Sequence, residues 1–191
     1  ISAVAEISHD IAFKGDLKAR AIEAVEKELN YMWRHRFVDV SELTVEQRRK
    51  ALKCRFSLTQ KRQTPEELAS GTPGRVKARL VAQDLKKFNP RHPIDTHADT
   101  PSLEGMRLIF ANFDGGEDKC SGTDFDCAYL QTSKRCKDKW ILVRFYNPVA
   151  LEWQTAGLTG VIYGEQTGAH DWSYELKGHF ASHVMREVAN I

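Results

Sequence analysis

The sequence lacks any run approaching the roughly 18 consecutive apolar residues that a membrane-spanning helix requires. Its beginning also lacks a basic region followed by an apolar stretch, the pattern of a secretory signal peptide. We therefore expect no membrane span. We further expect an intracellular location, organellar if a targeting segment has been removed.

Cysteine is scarce, and no two cysteines form a CxxC pair, which argues against a zinc ribbon or zinc knuckle. The cysteines are Cys54, Cys120, Cys127 and Cys136. In a reducing compartment we expect their thiols to be free. His179 and His183 have a spacing that suits a metal, but no third ligand accompanies them, so exposed or capping histidines are the simpler interpretation.

Net charge is low, +2, which argues against a dedicated polycationic nucleic-acid binder. The basic residues are nevertheless clustered, at 34–36, 48–50, 86–91 and 134–139. Such clusters either line a phosphate-binding face or form a solvated surface of mixed charge. The residues expected to contact nucleic acid or a partner are Lys86, Lys87, Arg91, Lys134, Arg135 and Lys137.

Hydrophobic periodicity predicts a helix from Asp16 to Trp33, with Asp16 as its N-cap. Its apolar stripe comprises Leu17, Ala21, Val25, Leu29 and Met32. A second, short helix is predicted to start at Thr44, because Thr44 and Gln47 have capping-box spacing.

Two alternating segments predict an antiparallel hairpin. Cys54–Thr59 is the first strand, and Val76–Ala82 is the second, with Lys77 and Arg79 on the face opposite its apolar residues. The polar stretch Arg62–Gly74 between them predicts a long, mobile tip.

The second half of the chain predicts a helix from Thr100 to Phe113, with Pro101 at its first position. A strand is predicted at Trp140–Phe145 and a glycine-punctuated turn region at Gly157–Gly164. From about Ala169 onward, helical spacing returns.

Several segments, in order from about Leu17 to Phe180, resemble the reverse transcriptase of copia-type (Pseudoviridae-like) LTR retrotransposons. The first helix is similar to the family's "W..A...E" helix through Ala24 and Glu28. Lys77–Gln83 is close to the family's "KARLVA.G" strand, with Asp84 where the family has glycine. Asp95 and Thr96 stand where the family has "iDY..T".

The later segments continue the resemblance. Thr123–Leu130 resembles "qlDVk.AFL", and Trp140–Pro148 is similar to "vYm.qPpGf". Tyr163, Gly164 and Trp172 reproduce the frame of "YGLKQ....W". Single motifs of this kind are weak evidence, but the shared order gives the resemblance its weight.

The resemblance implies roles for particular residues. Asp124 occupies the position of the first metal-binding carboxylate of the two-metal site. Tyr129 stands where the family has an aromatic steric gate against a ribose 2′-hydroxyl. Lys77 and Arg79 lie where cations contact the incoming triphosphate, and Gln166 corresponds to the glutamine that approaches the nucleotide. Without the family, a capping aspartate and a solvated strand face explain the same residues.

The family pattern is also broken. An active member needs a further acidic pair in a "YVDD"-like hairpin, and no such pair follows Asp171, the last aspartate of the sequence. Glu165 stands in an apolar family position, Gln166 is displaced by one residue, and His170 replaces a basic residue. We therefore expect Asp124 to be vestigial. No functional metal and no cofactor are expected in this form, although an active member would use Mg²⁺.

The resemblance implies an α+β fold: a fingers hairpin and an incomplete palm, whose antiparallel sheet has helices on one face. The expected organisation is an N-terminal extension at 1–14, a fingers-like region at 15–99 and an incomplete palm-like region at 100–191. The strand at Trp140–Phe145 would then form an open sheet edge in need of a partner.

Three functions remain open from the sequence. The first is a domesticated, catalytically inactive fragment, a pseudoenzyme that serves as a structural or RNA-contacting component of a larger assembly. Its partners would be other protein subunits and RNA. The second is part of an active RNA-directed DNA polymerase whose remaining palm, thumb and ribonuclease H lie on further sequence. The third is a free-standing single-strand binding module.

Overall fold

A computed structural model describes residues 6–84, 107, 128–133, 135 and 140–188 of the chain. The helices are α1 (His9–Ala12), α2 (Lys18–His35), α3 (Val45–Lys50), α4 (Pro65–Ala69) and α5 (Gly168–Val188). The strands are β1 (Glu6–Ile7), β2 (Phe37–Val38), β3 (Leu52–Gln60), β4 (Val76–Ala82), β5 (Ile141–Asn147) and β6 (Glu152–Leu158). Short 3-10 turns lie at Gly15–Leu17 and Ala128–Gln131. Helices thus combine with a sheet, in agreement with the predicted α+β class.

The sheet is built around β3. β4 pairs antiparallel with β3 from Cys54 to Gln60, which confirms the predicted hairpin. On the opposite edge of β3, β5 pairs in parallel with Leu52–Cys54, and β1 pairs antiparallel with Leu58 and Thr59. β6 pairs antiparallel with β5, and β2 with β6. The prediction of an antiparallel sheet is therefore wrong, because β3 and β5 run parallel and the sheet is mixed.

The strand predicted at Trp140–Phe145 is β5, and its predicted exposure as a sheet edge is wrong. β5 pairs with β3 on one side and with β6 on the other. Val143 and Phe145 are fully buried. The missing information was long-range: a single strand's sequence does not say how many neighbours it has.

One face of the sheet forms the core together with α2. The predicted apolar stripe of α2 is largely confirmed, since Ala21, Val25, Leu29 and Met32 are buried and Leu17 is not. These side chains share one hydrophobic cluster with the inward residues of β3, β4, β5 and β6. The prediction of Asp16 as N-cap is wrong. Asp16 lies in the preceding 3-10 turn, and Leu17 holds the cap position without a side-chain hydrogen bond.

The tip of the β3–β4 hairpin contains an ordered helix, in place of the mobile loop that its polar composition predicted. Thr64 and Glu67 form a capping box, and Pro65 occupies the first turn of α4. Arg20 of α2 lies 3.5 Å from the Glu67 carboxylate, which holds the tip against α2. The capping box predicted for Thr44 and Gln47 is confirmed at α3.

The predicted turn region at Gly157–Gly164 begins inside a strand, because Gly157 belongs to β6. A Cβ at Gly157 would lie 2.8 Å from a methyl group of Val38 in the neighbouring β2. Glycine is therefore present to let two strands approach, and sequence alone mistook it for a turn residue. The helix predicted from Ala169 onward is confirmed as α5.

Several predictions fall outside the described residues: the helix at Thr100–Phe113 and the segment that carries Asp124. The division into regions 1–14, 15–99 and 100–191 stays a prediction for the same reason. Among the described residues, no helix is long and apolar enough to cross a membrane. Cys54 is a free thiol, as predicted, and burial raises its pKa to about 12.

The outer edge of β4 is capped by an acidic side chain of α2. The backbone N–H of Leu80 donates a hydrogen bond to Glu28 Oε1, at 2.9 Å. Burial raises the pKa of the Glu28 carboxyl, although the Leu80 N–H and the charges of Arg79 and Lys77 act in the opposite direction. The Leu80 N–H, which points away from β3, is therefore occupied and not free to pair with another strand.

Replacing Glu28 should separate its acceptor role from its charge. Glu28→Ala leaves the Leu80 N–H without its acceptor and should lower the free energy of unfolding by about 1–3 kcal/mol. Glu28→Gln keeps an acceptor oxygen and should lower the free energy of unfolding much less. Folding raises the pKa of this carboxyl, so stability due to its neutral form is present at low pH and is lost as pH rises through the folded pKa. The free energy of unfolding of Glu28→Gln, relative to that of the wild type, should therefore increase from acidic to neutral pH. Urea unfolding across that range measures both effects, and equal losses in the two variants would contradict them.

Candidate functional site

The candidate site lies where β4 meets the segment after β6. Lys77 and Arg79 are both exposed on the face of β4 opposite the core, as predicted. The guanidinium carbon of Arg79 lies 5.3 Å from the centroid of the Tyr163 ring, within the range of a cation–π contact. Lys77 lies two residues farther along the same face. Arg79 is therefore the cation that belongs to an aromatic cluster.

Tyr163 is positioned by the backbone of β4. Tyr163 forms a parallel β-bridge with Val81. The carbonyl oxygen of Tyr163 accepts a hydrogen bond from the Ala82 N–H, at 2.7 Å. The next residue, Gly164, has a positive φ of 81°. A Cβ there would collide with the carbonyl oxygen of Ala82. The Tyr-Gly pair thus has a physical reason: the tyrosine extends the sheet and the glycine lets the chain leave it.

Tyr129 completes the aromatic part of the site. It lies in the 3-10 turn Ala128–Gln131, and its ring centroid is 5.6 Å from that of Tyr163, at an interplanar angle of 53°. The structure therefore brings Tyr129 and Arg79, which are distant in sequence, next to the same aromatic ring. Tyr163 is the residue that joins them.

Gln166 is tied to Asp84 by two hydrogen bonds. Its backbone N–H donates to one carboxylate oxygen of Asp84 and its side-chain Nε2 to the other, each at 3.1 Å. Asp84 is only 2% exposed. A buried carboxylate that accepts two hydrogen bonds holds its donor in place, so the amide of Gln166 is engaged within the chain.

Glu165 forms a buried ion pair with Arg135. The Glu165 side chain is 0% exposed and that of Arg135 is 17% exposed. The side chain of Arg135, which the sequence predicts as a nucleic-acid or partner contact, is therefore mostly buried and paired within the chain. Ser133, two residues before Arg135, donates its backbone N–H to both oxygens of Glu175 in α5, at 2.8 and 3.0 Å. The segment that follows Tyr129 is therefore fastened to the α5 side of the molecule.

Arg36, from the first basic cluster, is also buried. Its Nη1 donates to the carbonyl oxygen of Thr132, at 2.8 Å, and its own carbonyl oxygen accepts from the N–H and hydroxyl of Thr159. Burial lowers the pKa of its guanidinium. Within its cluster, Arg36 therefore acts in packing, not as part of a solvated surface.

Other predicted site residues lie outside the described part of the chain: Asp124, Lys86, Lys87, Arg91, Lys134 and Lys137. In the described ranges, no group of three or more histidine, cysteine or acidic side chains could hold a metal ion. The backbone of His179 and His183 lies in α5, and the side chain of His183 is not described.

Two residues of the site received no role from the sequence. The sequence identifies Tyr163 only as part of a Tyr-Gly pair, and Asp84 only as a residue that stands where the family it resembles has glycine. The available signal was that Asp84 and Glu165 both place a carboxylate where the family pattern has none. A buried carboxylate needs hydrogen-bonding or cationic partners, and the structure provides Gln166 for Asp84 and Arg135 for Glu165.

Comparison with known proteins leaves the chain without an assigned relative. No family model matches the sequence, and neither the curated proteins nor the solved structures contain a match.

Proposed function

We propose that the chain is a catalytically inactive derivative of a copia-type reverse transcriptase, comprising a fingers-like hairpin and part of a palm. In this proposal it acts as a structural, RNA-contacting component of a larger assembly. The resemblance of its motifs supplies the family. The contacts of Asp84 and Glu165 support the loss of catalysis, because they engage neighbouring polar groups within the chain.

The observation that carries the proposal is the internal engagement of Gln166. In the family pattern, the corresponding glutamine approaches the incoming nucleotide. Here its side-chain amide donates to Asp84, a residue that departs from the family glycine. The neighbouring departure, Glu165, is engaged by Arg135. Both substitutions therefore replace an open nucleotide site with internal polar contacts, which favour a fixed scaffold over a working site.

RNA contact is supported by the cationic side chains that are exposed on β4. Lys77 and Arg79 present charges that suit phosphate. Arg79 is also held in place by its cation–π contact with Tyr163. These contacts need no metal ion.

The second candidate is a part of an active polymerase. The clustering of Arg79, Tyr163 and Tyr129 favours it, because a cation beside two aromatic rings suits a nucleoside triphosphate as well as a polynucleotide. The two candidates differ in whether free nucleotide binds and whether a primer is extended.

The experiment combines three measurements on the purified 191-residue chain. We expect no primer extension on a primed RNA template with Mg²⁺ or Mn²⁺, and no saturable binding of deoxynucleoside triphosphates. We expect fluorescence anisotropy to show RNA binding whose affinity falls steeply with salt. Arg79→Gln should weaken that binding, while Arg49→Gln, an exposed cation on α3, serves as the matched control. Primer extension would refute the inactive form, and absence of RNA binding would refute RNA contact.

A further inference from the structure

The face of the sheet opposite the core carries a patterned set of side chains, several of which are exposed in the part of the chain that the structure describes. Registers of β3, β4 and β5 place Lys53 beside Arg144, Ser57 beside Arg79 and Thr59 beside Lys77. The pairing of β5 with β6 adds Tyr146 beside Trp153, and Arg144 beside Thr155. None of the inward core residues belongs to this set, because successive side chains of a strand alternate between faces.

Cations dominate this face. Its charged side chains in the described strands are Lys53, Arg55, Lys77, Arg79 and Arg144, with Glu6 as the acidic member. Glu6 accepts hydrogen bonds from Arg55 and Ser57, at 2.9 and 3.1 Å, and those bonds lower the pKa of its carboxyl. Although the chain carries a net charge of only +2, this face concentrates positive charge. It therefore complements a polyanion.

Exposed aromatic rings lie on the β5–β6 side of the same face. Trp153 is 60% exposed and Tyr146 is 40% exposed, and their ring centroids are 5.8 Å apart in an edge-to-face arrangement. The guanidinium carbon of Arg144 lies 4.9 Å from the centroid of the Trp153 ring. The tryptophan is therefore held by a cation and a neighbouring ring while much of its surface remains open to solvent.

A second aromatic cluster bounds the cations on the other side. Tyr163 extends the sheet beyond β4, where Arg79 lies over its ring and Tyr129 packs beside it. β4 and β6 are separated by β3 and β5, so about 14 Å lies between them at the usual strand spacing of about 4.8 Å. Cations thus occupy the interval between two aromatic clusters, which is the arrangement that proteins use to bind phosphates and unstacked bases together.

We propose that this face binds single-stranded RNA, with the exposed Trp153 and Tyr146 stacking on bases and Lys53, Arg55 and Arg144 contacting phosphates. The inference deepens the proposed RNA contact and rests on it. The exposed rings of Trp153 and Tyr146 favour a single strand, because the bases of a duplex are stacked on each other and cannot lie on a tryptophan. The hydroxyl group of Thr155, which lies opposite Arg144 in the β5–β6 register, offers a partner for a ribose 2′-hydroxyl.

The test uses a fluorescein-labelled oligouridylate of about twelve nucleotides, a length within the usual site size of single-strand binders. Trp153→Ala should weaken binding about tenfold, the usual effect of removing one stacking ring. Trp153→Phe should restore most of the affinity. Tyr174→Ala is the matched control, because Tyr174 is 75% exposed on α5, and should leave affinity unchanged. Arg55→Gln should reduce the slope of log affinity against log salt by about one.

The outcomes separate this inference from the broader proposal. If the wild type binds no RNA, the proposed RNA contact and this surface both fail. If it binds RNA and Trp153→Ala binds equally well, with an unchanged melting temperature, only this surface fails. Equal affinity for the corresponding DNA strand or for a duplex RNA overturns single-stranded RNA as the occupant. Displacement of the oligonucleotide by an acidic peptide at equal concentration assigns the face to a protein partner and likewise overturns it.

Discussion

Replacing Phe145 with alanine is expected to lower the free energy of unfolding by about 3–5 kcal/mol, the usual loss for a large aromatic side chain removed from a core. Phe145 is 0% exposed. Its ring stacks on Phe37 with centroids 5.5 Å apart, and meets the Phe56 ring edge-on at 6.2 Å. Urea unfolding followed by circular dichroism measures the loss. A loss this large would make the variant one of the least stable single substitutions in the chain.

The adjacent residue provides the control. Tyr146 points to the opposite face of β5 and is 40% exposed, so Tyr146→Ala should change the free energy of unfolding by less than about 1 kcal/mol. Its effect should be seen in RNA affinity. If both variants lost equal stability, the register of β5 against β3 and β6 would be wrong. If neither lost stability, β5 would be the open edge that its sequence first indicated.

Local structure could be predicted from the sequence because its causes are local. Alternation in Val76–Ala82 correctly placed Lys77 and Arg79 away from the core, since a strand has a period of two residues. Spacing alone identified the capping box at Thr44, because the reciprocal hydrogen bonds join residues three apart. The β3–β4 hairpin could be predicted because its two strands are close in sequence and its register is set by the turn.

Pairing between distant segments could not be predicted in the same way. The parallel pairing of β3 with β5 joins residues about ninety positions apart in sequence. The sequence of neither strand specifies which strand it pairs with. The end of β6 is predicted as a turn because glycine is common in turns and Gly157 is followed by two further glycines up to position 164. The actual cause of Gly157, the close approach of Val38, lies on a third segment. Asp16 failed as a cap because the 3-10 turn at Gly15–Leu17 displaced the start of α2.

The candidate site shows the same division. Sequence patterns singled out Arg79, Tyr129 and Gln166 separately, through a family resemblance. Their arrangement depends on Tyr163, which contacts two of them, and on Asp84, which holds the third. The sequence does not indicate that Trp153 and Arg144 share a face with Lys77 and Arg79, because this face is assembled from β3, β4, β5 and β6, whose order is not encoded in any one strand. A surface that is assembled by topology cannot be read from any one segment.

The second large effect is expected at the buried ion pair. Arg135→Ala removes the guanidinium that pairs with the fully buried Glu165 side chain, and should lower the free energy of unfolding by about 3–5 kcal/mol. The loss arises because a carboxylate that has been taken out of water relies on its cation. Since Arg135 follows the turn that carries Tyr129, the same variant should also loosen the aromatic cluster, and weaker RNA binding should accompany its lower stability.

The matched comparison is the double variant Arg135→Met with Glu165→Leu, which removes both charges and places an apolar residue at position 165. Replacing a buried pair by apolar residues of similar size is often neutral or stabilising. We therefore expect the double variant to be more stable than Arg135→Ala by at least about 2 kcal/mol. Urea unfolding of the wild type, both single variants and the double variant gives the coupling energy between the two residues. If Arg135→Ala were as stable as the double variant, the pair would be an ordinary surface contact, and the argument that Glu165 fixes this region as a scaffold would fail.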